Sequence, residues 1–335
     1  MSTSPLPPLV DVLATARVVS LPLVTRFRGI RTREAVVLEG PEGWTEFSPF
    51  VEYDDAEAAT WLAAALEFGW HPTPAPVRAN VSVNATVPAV AASEVEALLA
   101  RFDGCRTAKV KVAEPGQVLA DDVARVRAVR AAMGAEGRVR IDANGGWNVD
   151  EAERAIHALA EFDLEYVEQP CAEVEELAQV RERIGYLDIP LAADESVRKA
   201  SDPLRVARAG AADLLVIKAQ PLGGVRAALA IVAEAGLPAV VSSALDTSVG
   251  LSMGVALAAA LPSLEYDCGL GTAALLSEDV VDLPLLPSGG SLPLGRATPT
   301  TASLDRVEAA ADRGEWWLQR LTRCYRVLEA DLIRG

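Results

Sequence analysis

Three acidic residues and two lysines end short apolar segments in the middle of this 335-residue chain. Asp142, Glu168 and Asp194 end VRID, YVE and LAAD, and Lys111 and Lys218 end TAKVK and LVIK. Successive positions are 24 to 31 residues apart, which is the length of one strand, one crossover helix and two loops. In a parallel barrel built from such units, the carboxyl ends of the strands meet at one rim, where catalytic groups gather. We therefore expect the five side chains to face one pocket.

Asp142, Glu168 and Asp194 have the chemistry of a site for one hard cation. Carboxylate oxygens and water in octahedral geometry suit Mg²⁺. The alternative is that these acids cap the following helices, which suits Asp142 in part, whereas Glu168 precedes a Gln-Pro pair and is a poor cap. Glu195 is the neighbour of Asp194. Because side chains alternate along a strand, only one of the two should point to the metal, and we select Asp194.

Lysine is rare in this chain, which makes the lysines on predicted strands informative. Only four of the 31 basic residues are lysine, namely Lys109, Lys111, Lys199 and Lys218. Arginine does not lose its proton at useful pH, whereas lysine can be tuned to do so. Lys109 and Lys111 share one strand face. Lys111 lies nearer the rim and is the better candidate base, Lys218 approaches from across the barrel, and Lys109 is predicted to line the substrate site. The alternative is strand lysines whose stems reach out to water.

The two histidines fall away from the predicted strand ends. His71 lies in the turn-rich segment GWHPTPAP, and His157 lies in the middle of a predicted helix. Both are predicted to be structural or surface residues. Acid–base chemistry must then come from lysine or carboxylate, although histidine is the commonest general base.

Polar residues at two further strand ends are candidate pocket residues. Ser242 and Ser243 end VVSS, and Asp246 and Thr247 lead from there into a helix. Hydroxyls and free backbone N–H groups at a helix start can bind an anionic substrate group, although Asp246 and Thr247 are equally suited to ordinary capping. Asn84 ends the first barrel strand and is either a pocket residue or a turn residue.

The chain is longer than the roughly 250 residues of a single barrel, which predicts a second, smaller domain. Residues 1–78 are predicted to form an α+β domain, residues 79–290 the barrel and residues 291–335 a tail that packs on either. The eighth barrel strand is predicted at residues 264–271, with no clear helix after it. Helices are predicted at 55–68, 93–102, 118–133, 149–162, 173–184, 202–208, 223–235, 247–261 and 303–333.

Composition narrows the possible partners. A net charge of −16 and a pI near 4.7 argue against a nucleic-acid partner, which selects a basic face. The longest apolar run, at 249–262, is too short for a bilayer span of about 20 residues, and the N-terminus lacks the basic region of a signal peptide. The four cysteines form no CxxC pair. We expect a reduced, cytosolic protein that binds a small-molecule carboxylate and needs neither membrane nor nucleic acid, with its state as monomer or homo-oligomer left open.

The segments KVK, IDANGGW, EQP, ADES and VIKAQPLGG, in this order, resemble the enolase superfamily in its muconate lactonising enzyme subgroup. The resemblance implies an α/β fold, a modified (β/α)7β barrel with an α+β capping domain built from the N-terminal segment and the C-terminal tail. It implies Mg²⁺, or Mn²⁺ in its place, bound by Asp142, Glu168 and Asp194. Lys111 and Lys218 are implied on opposite faces of a carboxylate substrate, where the proton α to the carboxylate is removed.

Members of the subgroup catalyse cycloisomerisation, racemisation or dehydration with this one site. RFRGIRTREAVVLEG and VVSSALDTSVG are similar to the dehydratases of the subgroup. This similarity implies that Arg26, Phe27, Arg28 and Gly29 belong to a loop that closes over the substrate. It also implies that Ser242 and Ser243 line the side of the pocket that holds a succinyl group of the substrate. Lys111 is then implied to remove the α proton and deliver it to the departing hydroxide, while Lys218 stays charged.

The sequence is also compatible with other activities. Dipeptide epimerases of the subgroup usually carry Asp-x-Asp on strand eight, and the sequence Asp267-Cys268-Gly269 lacks the second Asp. Racemisation of an N-acylamino acid is the main alternative. A metal-free Schiff-base aldolase using Lys218 and a barrel retained for binding alone are the remaining ones.

Overall fold

The computed structural model describes residues 6–198 and 202–334, so Lys199 lies outside it. The strands are β1 (Arg17–Phe27), β2 (Ile30–Gly40), β3 (Gly43–Phe47), β4 (Asn80–Ser82), β5 (Ala85–Val87), β6 (Thr107–Lys111), β7 (Arg138–Asp142), β8 (Leu164–Glu168), β9 (Leu191–Ala193), β10 (Leu214–Ile217), β11 (Ala239–Val241) and β12 (Ser291–Pro293). The helices are α1 (Leu9–Ala14), α2 (Asp55–Trp70), α3 (Val95–Leu99), α4 (Leu119–Met133), α5 (Val149–Leu159), α6 (Val174–Ile184), α7 (Glu195–Arg198), α8 (Arg205–Arg208), α9 (Val225–Ala235), α10 (Ser248–Ala260), α11 (Thr301–Arg306) and α12 (Ala311–Arg334).

The N-terminal part forms a cap, defined here as the antiparallel sheet β1–β2–β3 with helix α2. Helix α2 begins where the Asp54 carboxylate accepts a hydrogen bond from the Glu57 N–H at 2.8 Å, which satisfies one of the free donors of the first turn. Its Ala- and Leu-rich sequence favours helix, and its Trp61 is fully buried.

The C-terminal tail completes the cap, as predicted. Helix α12 contacts both α2 and β1, and its Trp317 packs edge-on against Phe47 with ring centroids 6.0 Å apart. The buried guanidinium of Arg320 donates to the Tyr53 carbonyl at 2.6 Å and to the Phe50 carbonyl at 3.1 Å. Because charge-assisted bonds to buried carbonyls are among the stronger hydrogen bonds, this contact fixes the tail to the cap. The three domain boundaries stay a prediction.

A curled sheet of seven parallel strands, in the order β5 to β11, forms the barrel. These strands are buried along most of their length, as expected for a parallel sheet covered on both faces. The register pairs Lys111 with Asp142 and Asp142 with Glu168. Three charged side chains therefore stand side by side at the carboxyl edge. None of the helices in the described ranges combines the length and apolar composition needed to span a membrane.

The predicted eighth strand is shorter than expected. Cys268 forms a parallel bridge with Val83, and Gly269 forms one with Ser242, so this short segment links the first and seventh barrel strands. The Gly269 Cα faces the Ser242 hydroxyl so closely that a Cβ would lie 2.5 Å from it. The chain then turns into a 3₁₀ helix at Gly271–Leu275, which ends the pairing on the C-terminal side.

The cap docks on the barrel partly through Glu67 of α2. The Glu67 Oε1 accepts hydrogen bonds from the Arg226 N–H at 3.2 Å and the Arg226 Nη1 at 2.8 Å, at the start of α9. A carboxylate at the N-terminus of a helix meets the positive end of its dipole and its free N–H groups. Gly224 has φ +119° and leaves space for this carboxylate, because a Cβ there would overlap Glu67 Oε2.

Candidate active site

Asp142, Glu168 and Asp194 are fully buried at the carboxyl ends of β7, β8 and β9. Lys109 lies between two of them, with its Nζ 2.9 Å and 3.0 Å from the two Glu168 carboxylate oxygens and 3.2 Å from Asp142 Oδ2. Burying charges is costly unless each finds a partner. The site meets this requirement by interleaving acids and amines.

The two predicted catalytic lysines lie on the same cleft. The Lys111 ammonium donates to Asp142 Oδ2 and, at 2.7 Å, to the Asn144 side-chain oxygen. The Lys218 ammonium donates to Asp194 Oδ2. The structure thus brings the five predicted side chains together at one rim, with Lys111 beside the first acid and Lys218 beside the third.

The acids differ in how easily they carry charge. Burial, followed by the nearby Asp142 carboxylate, raises the pKa of Glu168 to about 8, although Lys109 opposes the shift. Burial works against the ionisation of Asp142 too, but Lys111 and Lys109 outweigh it and lower the pKa of that carboxyl. Glu168 is therefore the acid that gains most from an added positive charge.

The donor set fits a hard cation. Three buried carboxylates offer oxygens only, which is the ligand type that Mg²⁺ prefers. The Glu195 Oε2 is also buried nearby without a hydrogen-bond partner in the described residues. Within those ranges no three acidic, Cys or His side chains form a ready-made ion cage, and the lysine Nζ atoms lie against the oxygens that an ion would need.

Arg198 forms an outer support that sequence reasoning missed. Its Nε lies 3.1 Å from Asp194 Oδ1, its Nη2 donates to Glu195 Oε1 at 2.6 Å and its Nη1 donates to the Tyr53 hydroxyl at 3.0 Å. An Arg four residues after an acid is common on helix surfaces, so the sequence carries little signal for this role. Asn144 was also missed, although it lies two residues after Asp142 in IDANGGW and adopts φ +47°.

The cleft above the lysines has about 400 Å³ of space, counting its open side. Ser242 and Ser243 form part of its wall, and Phe27 and Arg28 reach it from the cap. The Ser243 hydroxyl lies 3.0 Å from the Gly269 carbonyl and 2.7 Å from the Thr272 hydroxyl. The remaining lining residues are Thr86, Lys109, Lys111, Asn144, Lys218, Ala244, Leu245, Gly269 and Thr272.

The other predicted substrate residues lie further out or deeper. Arg26 and Gly29 are exposed and line an outer cleft, which continues to Lys111 and Asn144. Asn84 is fully buried. Its amide donates to the Ala85 carbonyl at 2.8 Å and to the Thr86 hydroxyl at 3.3 Å. The role of all three residues in substrate binding stays a prediction.

Asp246, buried beside the cleft wall, should make stability depend on pH. Burial and the neighbouring Glu46 raise the pKa of Asp246 to about 7 from an ordinary 3.8, against the opposing charges of Arg33 and Lys218. Its carboxylate accepts a hydrogen bond from Gln220 Nε2 at 3.0 Å. Since the folded protein holds this proton more tightly than the unfolded chain, the contribution of Asp246 to the free energy of unfolding falls as pH rises between those two values.

Asp246→Asn removes the titrating group, so it should raise the melting temperature relative to wild type at about pH 8 and much less at about pH 5. Thermal unfolding of both proteins at the two pH values measures this difference. An equal shift at both values would contradict it.

The sequence matches the enolase N-terminal domain-like family over residues 18–69 and the enolase C-terminal domain-like family over residues 90–299. The chain belongs to the enolase superfamily.

Among its relatives is o-succinylbenzoate synthase of Mycolicibacterium smegmatis, 54% identical over 327 residues that cover 97% of this chain and 100% of the relative. The enzyme of the same name from Mycobacterium ulcerans is 54% identical over 321 residues, covering 96% of each chain.

Two solved structures resemble this chain in fold. Muconate lactonizing enzyme from Pseudomonas putida has a TM-score of 0.70 at 20% identity, covering 88% of this chain and 98% of that one. The L-Ala-D/L-Glu epimerase from Bacillus subtilis has a TM-score of 0.72 at 22% identity, covering 85% and 96%.

Proposed function

We propose that this chain is an o-succinylbenzoate synthase, a lyase that dehydrates 2-succinyl-6-hydroxy-2,4-cyclohexadiene-1-carboxylate to o-succinylbenzoate in menaquinone biosynthesis. The observation that carries the proposal is the 54% identity to enzymes of that name over nearly the full length of both chains. The pairing of Lys111 and Lys218 with acids on one cleft supplies the matching chemistry.

Lys111 is the base in this proposal. Once the Lys111 ammonium has lost a proton to solvent, its amine takes the proton α to the substrate carboxylate, and the electron pair of the broken C–H bond moves into that carboxylate. As the C–O bond to the leaving hydroxyl breaks, the Lys111 ammonium returns the proton, so that water leaves from the face on which the proton was removed. Asn144, 2.7 Å from the Lys111 Nζ, orients the amine for both transfers.

Lys218 acts as a fixed positive charge in the same scheme. Its ammonium faces the substrate from the Asp194 side and stabilises the negative charge that builds up when the α proton leaves. Charges already in position inside a closed site need no reorganisation during the reaction, and this makes them effective. Burial lowers the pKa of Lys218, whereas Asp194 opposes the shift and favours the charged form that this role requires.

Asp142, Glu168 and Asp194 are the proposed ligands of Mg²⁺, with Mn²⁺ as a substitute. The bound ion supplies positive charge opposite the charge that develops on the substrate carboxylate. The oxygen-only donor set of these three buried carboxylates supports this assignment, and the buried Glu195 Oε2, without a hydrogen-bond partner among the described residues, lies next to them in the chain.

Substrate contacts complete the proposal. Ser242 and Ser243 line the succinyl side, and Arg26 and Gly29 belong to the loop that closes over it, supported by their positions on the inner and outer clefts. Lys109 contacts both Glu168 and Asp142, and in this proposal it also contacts the substrate, since it lines the same cleft. A cytosolic location is supported by four cysteines that are all unpaired, as expected of a reducing compartment.

An ultraviolet assay tests the proposal directly. The purified chain should convert the cyclohexadiene carboxylate to the aromatic product in buffer with Mg²⁺, lose this activity in EDTA and recover it with Mg²⁺ or Mn²⁺. Aromatisation by the wild-type chain at an unchanged rate in EDTA would contradict the metal assignment, and no aromatisation at all would contradict the function.

Racemisation of an N-succinylamino acid is the second candidate. It is favoured by one observation, that lysines stand on both the Asp142 and the Asp194 sides of the cleft, since racemisation needs a proton taken on one face and returned on the other. Incorporation of deuterium from solvent into recovered N-succinylamino acid measures this activity separately from dehydration.

A further inference from the structure

The cleft wall at residues 242–245 needs support from outside its own segment. It follows β11 and ends at Leu245, which has φ +63°. This left-handed conformation is unfavourable for any residue other than glycine, because Cβ then crowds the backbone carbonyl, and it persists only when the surroundings enforce it. Ser242, Ser243 and Leu245 all line the cleft, so whatever enforces this conformation also sets the shape of the cleft.

The first support comes from Arg33 of β2 in the cap. Its side chain is buried, and its Nε donates to the Leu245 carbonyl at 3.1 Å. Its Nη2 donates to the Ser48 hydroxyl at 3.0 Å. The guanidinium thus ties the strained residue of the wall to the end of β3. Its planar fork suits two simultaneous bonds of this kind.

The second support comes from Glu46 of β3. The Glu46 Oε2 accepts hydrogen bonds from the Thr247 N–H at 3.1 Å and the Gly250 N–H at 3.2 Å, and also from the Thr247 hydroxyl. These donors belong to the start of α10, the 13-residue helix that follows the wall. A carboxylate from the cap therefore satisfies backbone groups that a helix cannot satisfy itself.

Gly250 makes this contact possible. A Cβ at that position would lie 2.7 Å from Glu46 Cδ and 2.8 Å from Glu46 Oε1. The buried Glu46 carboxylate therefore packs directly against Gly250, and only glycine at this position leaves space for it. The Glu46 Oε1 is held in turn by the Ser48 hydroxyl at 2.5 Å.

We propose that Arg33 and Glu46 form a clamp, through which the cap positions the cleft wall and so determines how tightly the substrate binds. Arg33 contacts the last residue of the wall, and Glu46 contacts the start of the helix that follows it. Neither lines the inner cleft among the described residues, so both are positioning residues. The inference rests on the proposed function only in taking this cleft as the substrate site.

Two variants release the clamp in different ways. Glu46→Ala removes the oxygen that accepts hydrogen bonds from the Thr247 and Gly250 N–H groups, and Gly250→Ala places a methyl group against the Glu46 carboxylate and the Asp246 Cβ. Gly314→Ala is the matched control, because Gly314 is also helical and a Cβ there would meet nothing within 4 Å. We expect KM for the cyclohexadiene carboxylate to rise about tenfold in both clamp variants, with kcat within about threefold of wild type. The control should match wild type in both constants.

Hydrogen exchange supplies a readout that needs no turnover. Backbone amides of residues 242–250 should exchange faster in the two clamp variants than in wild type or Gly314→Ala, because their free energy of opening depends on the clamp. Unchanged KM, with any loss of rate matching the loss of folded protein, would overturn the proposal, as would unchanged exchange. If wild type fails to dehydrate the substrate, the proposed function fails, while exchange still tests the clamp.

Discussion

Lys111→Ala is expected to lower kcat for dehydration by about 10³-fold, with the fold retained. The physical reason is that Lys111 is the amine assigned to move the proton, and its Nζ is held by Asp142 and Asn144. Alanine removes the base, and water in its place is neither oriented nor basic enough. Steady-state kinetics with circular dichroism as the folding check provide the measurement.

Lys111→Arg is the informative control for this variant. Arginine keeps the positive charge beside Asp142, but its guanidinium does not give up a proton at useful pH. It should therefore be about as inactive as Lys111→Ala. Turnover by the arginine variant near that of wild type would show that position 111 contributes charge alone and would contradict its role as the base.

Lys218→Ala is expected to lower kcat by about 10²- to 10³-fold, the usual cost of removing one preorganised group that stabilises developing charge. Here Lys218→Arg should retain more activity than Lys218→Ala, because a fixed positive charge is the property required. The same assay with all four lysine variants gives the comparison. If the order is reversed, with arginine tolerated at 111 and not at 218, the two lysines have exchanged roles.

The racemase activity separates the two positions differently. Since each lysine must exchange a proton in that reaction, both arginine variants should lose deuterium incorporation into an N-succinylamino acid. A Lys218→Arg variant that dehydrates but does not racemise would show that position 218 supplies only a positive charge in dehydration but must exchange a proton in racemisation.

The barrel was predictable because its signals are local and repeated. Apolar strands that end in charged residues at a nearly constant interval predicted β6 to β10, and the observed register sets Lys111, Asp142 and Glu168 side by side. Most helices were predicted to within a few residues; for example, 118–133 corresponds to Leu119–Met133 and 247–261 to Ser248–Ala260. The single helix predicted at 303–333 was wrong, because the structure has two helices there, Thr301–Arg306 and Ala311–Arg334. Hydrophobic periodicity and capping residues carry this information.

The contacts between distant elements were not predictable in the same way. Arg33 and Glu46 lie in ordinary strand patterns of the cap, and nothing in their spacing indicates that their partners are some 200 residues away. The contact between Arg198 and the Tyr53 hydroxyl was not predictable for the same reason. Lys109 was expected at the substrate, and its contact with both Glu168 and Asp142 depends on a register that only the folded sheet defines.

The eighth strand shows a further limit of sequence patterns. Its apolar and aromatic composition predicted pairing over residues 264–271, whereas only Cys268 and Gly269 form bridges. The length of a closing strand depends on how far the first and seventh strands approach each other, and this distance is set by the whole barrel.

The Glu67 contact at the start of α9 has a consequence for protein engineering. If this barrel were transplanted beneath the cap of a distant relative without an acid at that point, Arg226 and the glycine-bordered space beside Gly224 would face a surface of another shape. A successful chimera would have to carry the acid and the glycine as a matched pair. The two parts of the enzyme are therefore not interchangeable modules.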